Sequence, residues 1–260
     1  MPELPEVETI VRQLSKKIVG KNVNSVDILD SKVVDYKVKK EVPFRINKVY
    51  RRAKSIVMDL DNGHVILTHL RMTGHFRYNS SGSFEVGRFN FDDGSFFTHH
   101  SIRKFGGMKL LTSKELVQEF SKLGIEPLSK EFTLELFNSI LLRKKKSNIK
   151  GVLLDQNLIV GLGNIYVQEA LYFSGVDPRK KVFELSSKQI KSLYLEIIRV
   201  LKLAVEKKGS TVDNYTNVDG AGKYQDYLAV YNKSRCPKNH EIQKINIGGR
   251  GTSYCLVCQR

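Results

Sequence analysis

Ser55-Ile56-Val57-Met58-Asp59-Leu60-Asp61-Asn62-Gly63-His64-Val65-Ile66-Leu67-Thr68-His69-Leu70 consists of two short apolar runs around Asp-Asn-Gly. Runs this short suit strands, and Asn-Gly accepts the positive φ angles of a tight turn, so the stretch predicts a hairpin. Arg88–Phe91 and Ser95–Thr98 repeat the arrangement around Asp92-Asp93-Gly94. Short strands with tight turns across residues 20–110 predict a sandwich or a barrel. The pattern changes on either side. Upstream, Val7, Ile10, Val11 and Leu14 share a helical stripe. Downstream, Leu116, Phe120 and Leu123 begin a helical period, and Leu193, Ile197, Val200, Leu201 and Ala204 continue it in a mainly helical stretch, 131–208. Gly124–Lys130, with Pro127, reads as the exit from the first domain. The expectation is an α+β chain of two domains: 1–125, a linker at 126–143, a helical part at 144–230 and a C-terminal element at 231–260.

Lys and Arg total 43 against 27 acidic residues, a net charge of +16, which calls for a polyanionic partner, nucleic acid foremost. No run of 18 apolar residues and no signal-peptide core is present, so a membrane is not expected. The basic run Arg143–Lys146 is an ordinary solvated face or a phosphate contact. Cysteines occur only at 236, 255 and 258, an odd cluster that favours a metal site in a reducing compartment over a disulfide framework. Cys255 and Cys258 have knuckle spacing, and Cys236 with His240 supplies the other half, making a Cys3His set suited to structural zinc.

The N-terminus, Met1-Pro2-Glu3-Leu4-Pro5-Glu6-Val7-Glu8, carries the chemistry. Loss of Met1 leaves Pro2 with a free secondary amine. An α-amine titrates near ~8 against ~10.4 for lysine, so more of it is nucleophilic at neutral pH. Attack on a sugar carbon gives an iminium that cannot be neutralised by deprotonation, and Glu3 sets a carboxylate beside it for proton transfer. Pro2 and Pro5 also suit a helix start, with Glu6 and Glu8 offsetting its dipole.

This opening resembles that of the formamidopyrimidine-DNA glycosylase/endonuclease VIII family. The resemblance continues at Arg51-Arg52-Ala53-Lys54, His69-Leu70-Arg71-Met72-Thr73-Gly74, Arg103-Lys104-Phe105-Gly106 and Gly161-Leu162-Gly163-Asn164-Ile165-Tyr166, and ends in Gly249–Arg260. It implies an N-terminal β-sandwich with a catalytic N-terminal helix. Across a basic cleft it implies a helix–two-turn–helix domain ending in a zinc-finger hairpin.

It further implies a bifunctional glycosylase/AP lyase of base-excision repair, acting as a cytoplasmic monomer on damaged double-stranded DNA. Pro2 displaces the base at C1′, Glu3 protonates the opening sugar, and β,δ-elimination cuts the strand. Glu6 supports the geometry. Lys54 and Arg250 take the phosphates beside the lesion, and His69 and Asn164 bind DNA. Met72, Arg103 and Phe105 fill the hole left by the extruded base. One zinc sits on Cys236, His240, Cys255 and Cys258.

Three departures from the family pattern stand out. Arg71 replaces a frequent glycine, His100-Ser101 an acidic residue, and His240 the more usual Cys. The triad and the loop Ser210–Tyr224, with Gly209-Ser210-Thr211-Val212 and Asp219-Gly220, resemble the purine branch. The expected substrates are therefore oxidised purines. The alternatives are an endonuclease VIII-like enzyme for oxidised pyrimidines and a catalytically silent DNA-binding protein.

Overall fold

The computed structural model describes residues 2–211 and 218–260; Met1 and Val212 of the Gly209–Val212 motif lie outside the described residues. The chain divides into two compact units, Met1–Lys122 with Lys207–Lys223, and Leu123–Glu206 with Tyr224–Arg260. The segment 207–223, counted above with the helical part, thus belongs to the first unit.

The first unit runs α1 (Leu4–Ile18), β1 (Asn22–Ile28), α2 (Lys37–Lys40), β2 (Phe44–Arg52), β3 (Ser55–Leu60), β4 (His64–His69), β5 (Gly74–Tyr78), β6 (Glu85–Phe91), β7 (Phe96–Ser101), β8 (Gly107–Thr112) and α3 (Ser113–Phe120). The strands are antiparallel in the order β5-β7-β6-β1-β2-β3-β4-β8, with β5 and β8 as free ends rather than a closed barrel. β1 and β2 share only the pairs Asn22–Arg45 and Val23–Phe44. The two halves diverge there and become the layers of a sandwich. Val26, Phe89 and Phe97 from one layer and Ile46, Met58 and Ile66 from the other bury into one core with Val7, Ile10 and Leu14 of α1. Gly63 and Gly94 turn their hairpins at φ +81° and +80°.

The second unit contains α4 (Leu134–Arg143), α5 (Ile149–Leu154), α6 (Asn164–Phe173), α7 (Ser187–Glu206) and the hairpin β9 (Gln243–Ile247)–β10 (Arg250–Tyr254). Residues 126–143, read above as linker, therefore hold a whole helix, α4, capped by the Thr133 hydroxyl accepting from the Leu136 N–H. The α7 stripe Leu193, Ile197, Val200, Leu201 and Ala204 is buried. Gly248 and Gly249, at φ +60° and +75°, form the two-residue turn between β9 and β10. Among the described residues no helix is long and apolar enough to cross a membrane.

Candidate functional site

Pro2 and Glu3 are buried at the start of α1. Glu6 fixes this end: one carboxylate oxygen accepts the Glu3 N–H at 2.9 Å and the other the Ser210 N–H at 2.8 Å. A carboxylate committed to two backbone amides holds geometry better than it transfers protons. Gly209, at φ +76°, lies so close that an added Cβ would come within 2.9 Å of Glu6 Oε1.

Lys54 lies in the tight turn joining β2 to β3, which closes at the pair Arg52–Ser55. It is buried. Ser55 pairs in turn with His69 at the end of β4. Burial, then the charges of Arg71 and Lys54, push His69 down to about 4, so its ring is neutral at physiological pH. The Arg71 backbone N–H donates to His69 Nδ1 at 3.1 Å. The ring proton therefore sits on Nε2, leaving a neutral N–H donor.

The loops after β4 and β7 meet beside this end. The Arg103 N–H donates to Thr73 Oγ1 at 2.9 Å, and its guanidinium reaches Met72 Sδ at 3.2 Å. Met72 and Phe105, which could each have been core residues, are 40% and 66% exposed. Arg71 takes φ +53°. The left-handed backbone at this position accounts for the fit of a glycine there, and Arg71 adopts it regardless. Ser101, in the place of an acidic residue, accepts the Lys104 N–H at 3.1 Å.

In the second unit α6 is capped by Gly163, so Asn164 is its first helical residue and not its cap. Asn164 Nδ2 donates to the Gly251 carbonyl at 3.0 Å, while its buried Oδ1 has no hydrogen-bond partner. Gln168 joins in, donating to the same carbonyl at 3.2 Å and accepting the Ser253 N–H at 2.6 Å. The wholly buried Lys150 donates to Thr252 Oγ1 at 2.5 Å. Burial, then the charge of Arg250, pushes its amine down to about 8. Three side chains from α5 and α6 thus hold β10, at whose start Arg250 is exposed.

The donor atoms of Cys236, His240, Cys255 and Cys258 all lie within 4.8 Å of one another. Cys236 Sγ is 3.6 Å from His240 Nδ1 and 4.0 Å from Cys258 Sγ; His240 Nδ1 is 3.3 Å from Cys258 Sγ. This is a set of donors converging on one point, compatible with a metal ion.

Residues 1–108 match the formamidopyrimidine-DNA glycosylase N-terminal domain, and residues 123–216 match the formamidopyrimidine-DNA glycosylase H2TH domain. A formamidopyrimidine-DNA glycosylase of Streptococcus pneumoniae is 41% identical over 276 residues, covering 100% of this chain and 99% of its own. The chain belongs to the formamidopyrimidine-DNA glycosylase family. Two solved structures agree. A Lactococcus lactis FPG mutant in complex with Fapy-dG-containing DNA has a TM-score of 0.93 at 34% identity over 100% of both chains. The Lactococcus lactis Fpg in complex with DNA containing an abasic site has the same score and identity over 99% of both.

Within this formamidopyrimidine-DNA glycosylase fold, sequence reading passed over Lys150, Gln168 and Glu169. Glu169 is wholly buried and accepts the N–H groups of Ala229, Val230 and Tyr231 at 2.7, 3.0 and 2.9 Å. A lysine one residue into a helix looks like a solvated charge. Only burial against the hairpin distinguishes it.

Proposed function

We propose that this chain is a bifunctional DNA glycosylase/AP lyase that removes oxidised purines from damaged duplex DNA during base-excision repair. The observation that carries the reading is the buried Pro2-Glu3 end of α1, fixed by Glu6, in a full-length relative of formamidopyrimidine-DNA glycosylases. With Met1 removed, the Pro2 nitrogen attacks C1′ and the glycosidic bond breaks, its electron pair leaving with the base. Glu3 protonates the ring oxygen as the sugar opens. The resulting iminium accepts the electrons released when a C2′ proton is lost, and the 3′ phosphate departs. A second elimination releases the 5′ phosphate and leaves a one-nucleotide gap.

Lys54, with the neutral His69 N–H donor beside it, holds backbone phosphate at the reacting sugar. Met72, Arg103 and Phe105, on two loops that meet, are suited to occupy the hole in the stack; unstacking costs a few kcal/mol that such wedges offset. Asn164 and Arg250 bind phosphates from the second unit.

The metal is zinc. With Zn–S of about 2.3 Å and Zn–N of about 2.0 Å, a tetrahedral site has edges of roughly 3.8 Å between sulfurs and roughly 3.5 Å between sulfur and nitrogen. The spacings of 4.0, 3.6 and 3.3 Å follow these edges. A closed four-ligand site fixes the hairpin and takes no part in the reaction. Reduced thiols of this kind suit the cytoplasm.

The purine assignment rests on the relative bound to Fapy-dG-containing DNA. Duplexes carrying 8-oxoguanine, a formamidopyrimidine or thymine glycol opposite each normal base test it. Faster cleavage of the two purine lesions supports the reading, and faster cleavage of thymine glycol overturns it.

A further inference from the structure

Arg51 bridges two parts of the first unit that the reaction uses separately. Its Nε donates to Glu8 Oε2 of α1 at 2.9 Å, and its Nη1 donates to the Ala53 carbonyl at 2.8 Å. The side chain is only 11% exposed. Ala53, the first residue of the two-residue turn that presents Lys54, has φ +57°. Tight hairpin turns need such an angle, but glycine, asparagine or aspartate usually supplies it. An alanine held there requires surrounding contacts that over-determine the turn. The Arg51 hydrogen bond to the carbonyl of Ala53 itself is such a contact.

Glu8 is the other jaw. Burial opposes its ionisation, but hydrogen bonds from Arg12 and Arg51 outweigh that and hold its carboxyl below the usual range. A charged, mostly buried pair therefore links α1, whose first residues follow Pro2 and Glu3, to the turn that carries Lys54.

We propose that Arg51 is a positioning residue for base excision, clamping the Lys54 turn to the catalytic helix through Glu8 and the Ala53 carbonyl. The inference rests on the glycosylase/lyase reading above. A guanidinium spans two acceptors in a fixed fork, whereas an ammonium keeps the charge but not the fork.

The test compares single-turnover excision of 8-oxoguanine from a duplex by the parent, Arg51→Lys, Lys54→Ala and the double variant, with undamaged-duplex affinity and thermal midpoint measured alongside. Arg51→Lys should lower the excision rate at least tenfold while undamaged-duplex affinity stays within twofold. In the Lys54→Ala background the same change should have little further effect, because the clamp acts through Lys54. Ala53→Gly, which takes the left-handed angle without strain, should restore part of the Arg51→Lys loss.

Full activity of Arg51→Lys, or losses that multiply with those of Lys54→Ala, would overturn the proposal. Should Arg51→Lys fail to fold, Glu8→Gln loosens the other jaw with Arg51 intact. A slower excision rate supports the clamp and an unchanged one overturns it. An inactive parent would instead bring down the glycosylase reading and this inference together.

Discussion

At the residue scale, the chemistry depends on small groups held in definite states. His69 is neutral because burial and two neighbouring cations disfavour its protonated form, and the Arg71 amide fixes which nitrogen carries the proton. In the proposed reaction Lys54 is one phosphate contact among many, so removing it takes little from total affinity, but there it acts at the reacting sugar. Lys54→Ala should therefore slow single-turnover excision by about 10²-fold, with undamaged-duplex affinity little changed. A loss confined to affinity would make Lys54 an ordinary basic contact. Pro2, Glu3 and Lys54 stand out in the sequence through motif context alone, and the structure adds their burial; their catalytic roles are part of the proposal. Lys150 and Arg51 do not stand out, because their roles lie in burial and in partners remote in sequence or set by a turn.

At the element scale, the hairpins could be read because Asn-Gly and Asp-Gly mark their turns locally. β1 and β5 could not, since their pairing partners are set by long-range register. The helix α4 was hidden in an apparent linker, although Thr133 caps it in the ordinary way. Ser210 and Asp219 are tied to α1 by hydrogen bonds to Glu6 and Gln13, which join residues 204 and 206 apart in sequence. No local pattern reports that.

The C-terminal hairpin is the element most open to test. Purified protein should hold about one zinc per chain. His240→Ala should lose metal and damaged-duplex binding with the first unit still folded. Arg250→Ala should weaken binding but keep the metal. Metal-free parent protein, or Arg250→Ala with parental affinity, contradicts this arrangement.

At the scale of the whole molecule, the sandwich is set by how weakly β1 and β2 are joined; strand and turn patterning left sandwich and barrel open, and the family resemblance chose the sandwich. Its core carries an unexpected group. His99 is wholly buried beside Phe76, and neither ring nitrogen has a hydrogen-bond partner. Burial, then the neighbouring His75 and His100, pushes it down to about 3.

An unfolded histidine titrates near ~6.5, so below that pH the unfolded chain binds the extra proton first. Stability is then lost as pH falls from ~6.5 towards 3, by about 1.4 kcal/mol per pH unit. His99→Phe should raise the thermal midpoint relative to the parent at pH 5 but much less at pH 8. Equal acid sensitivity in parent and variant would show that His99 does not titrate on unfolding.

The central claim is that the α-amine of residue 2 is the nucleophile. Borohydride reduction of the protein mixed with abasic-site duplex, followed by peptide mapping of the adduct, tests it most directly. The account predicts one stable adduct on the Pro2 nitrogen and none when Met1 is retained. An adduct on Lys54 or another lysine, or trapping that survives retention of Met1, would contradict it.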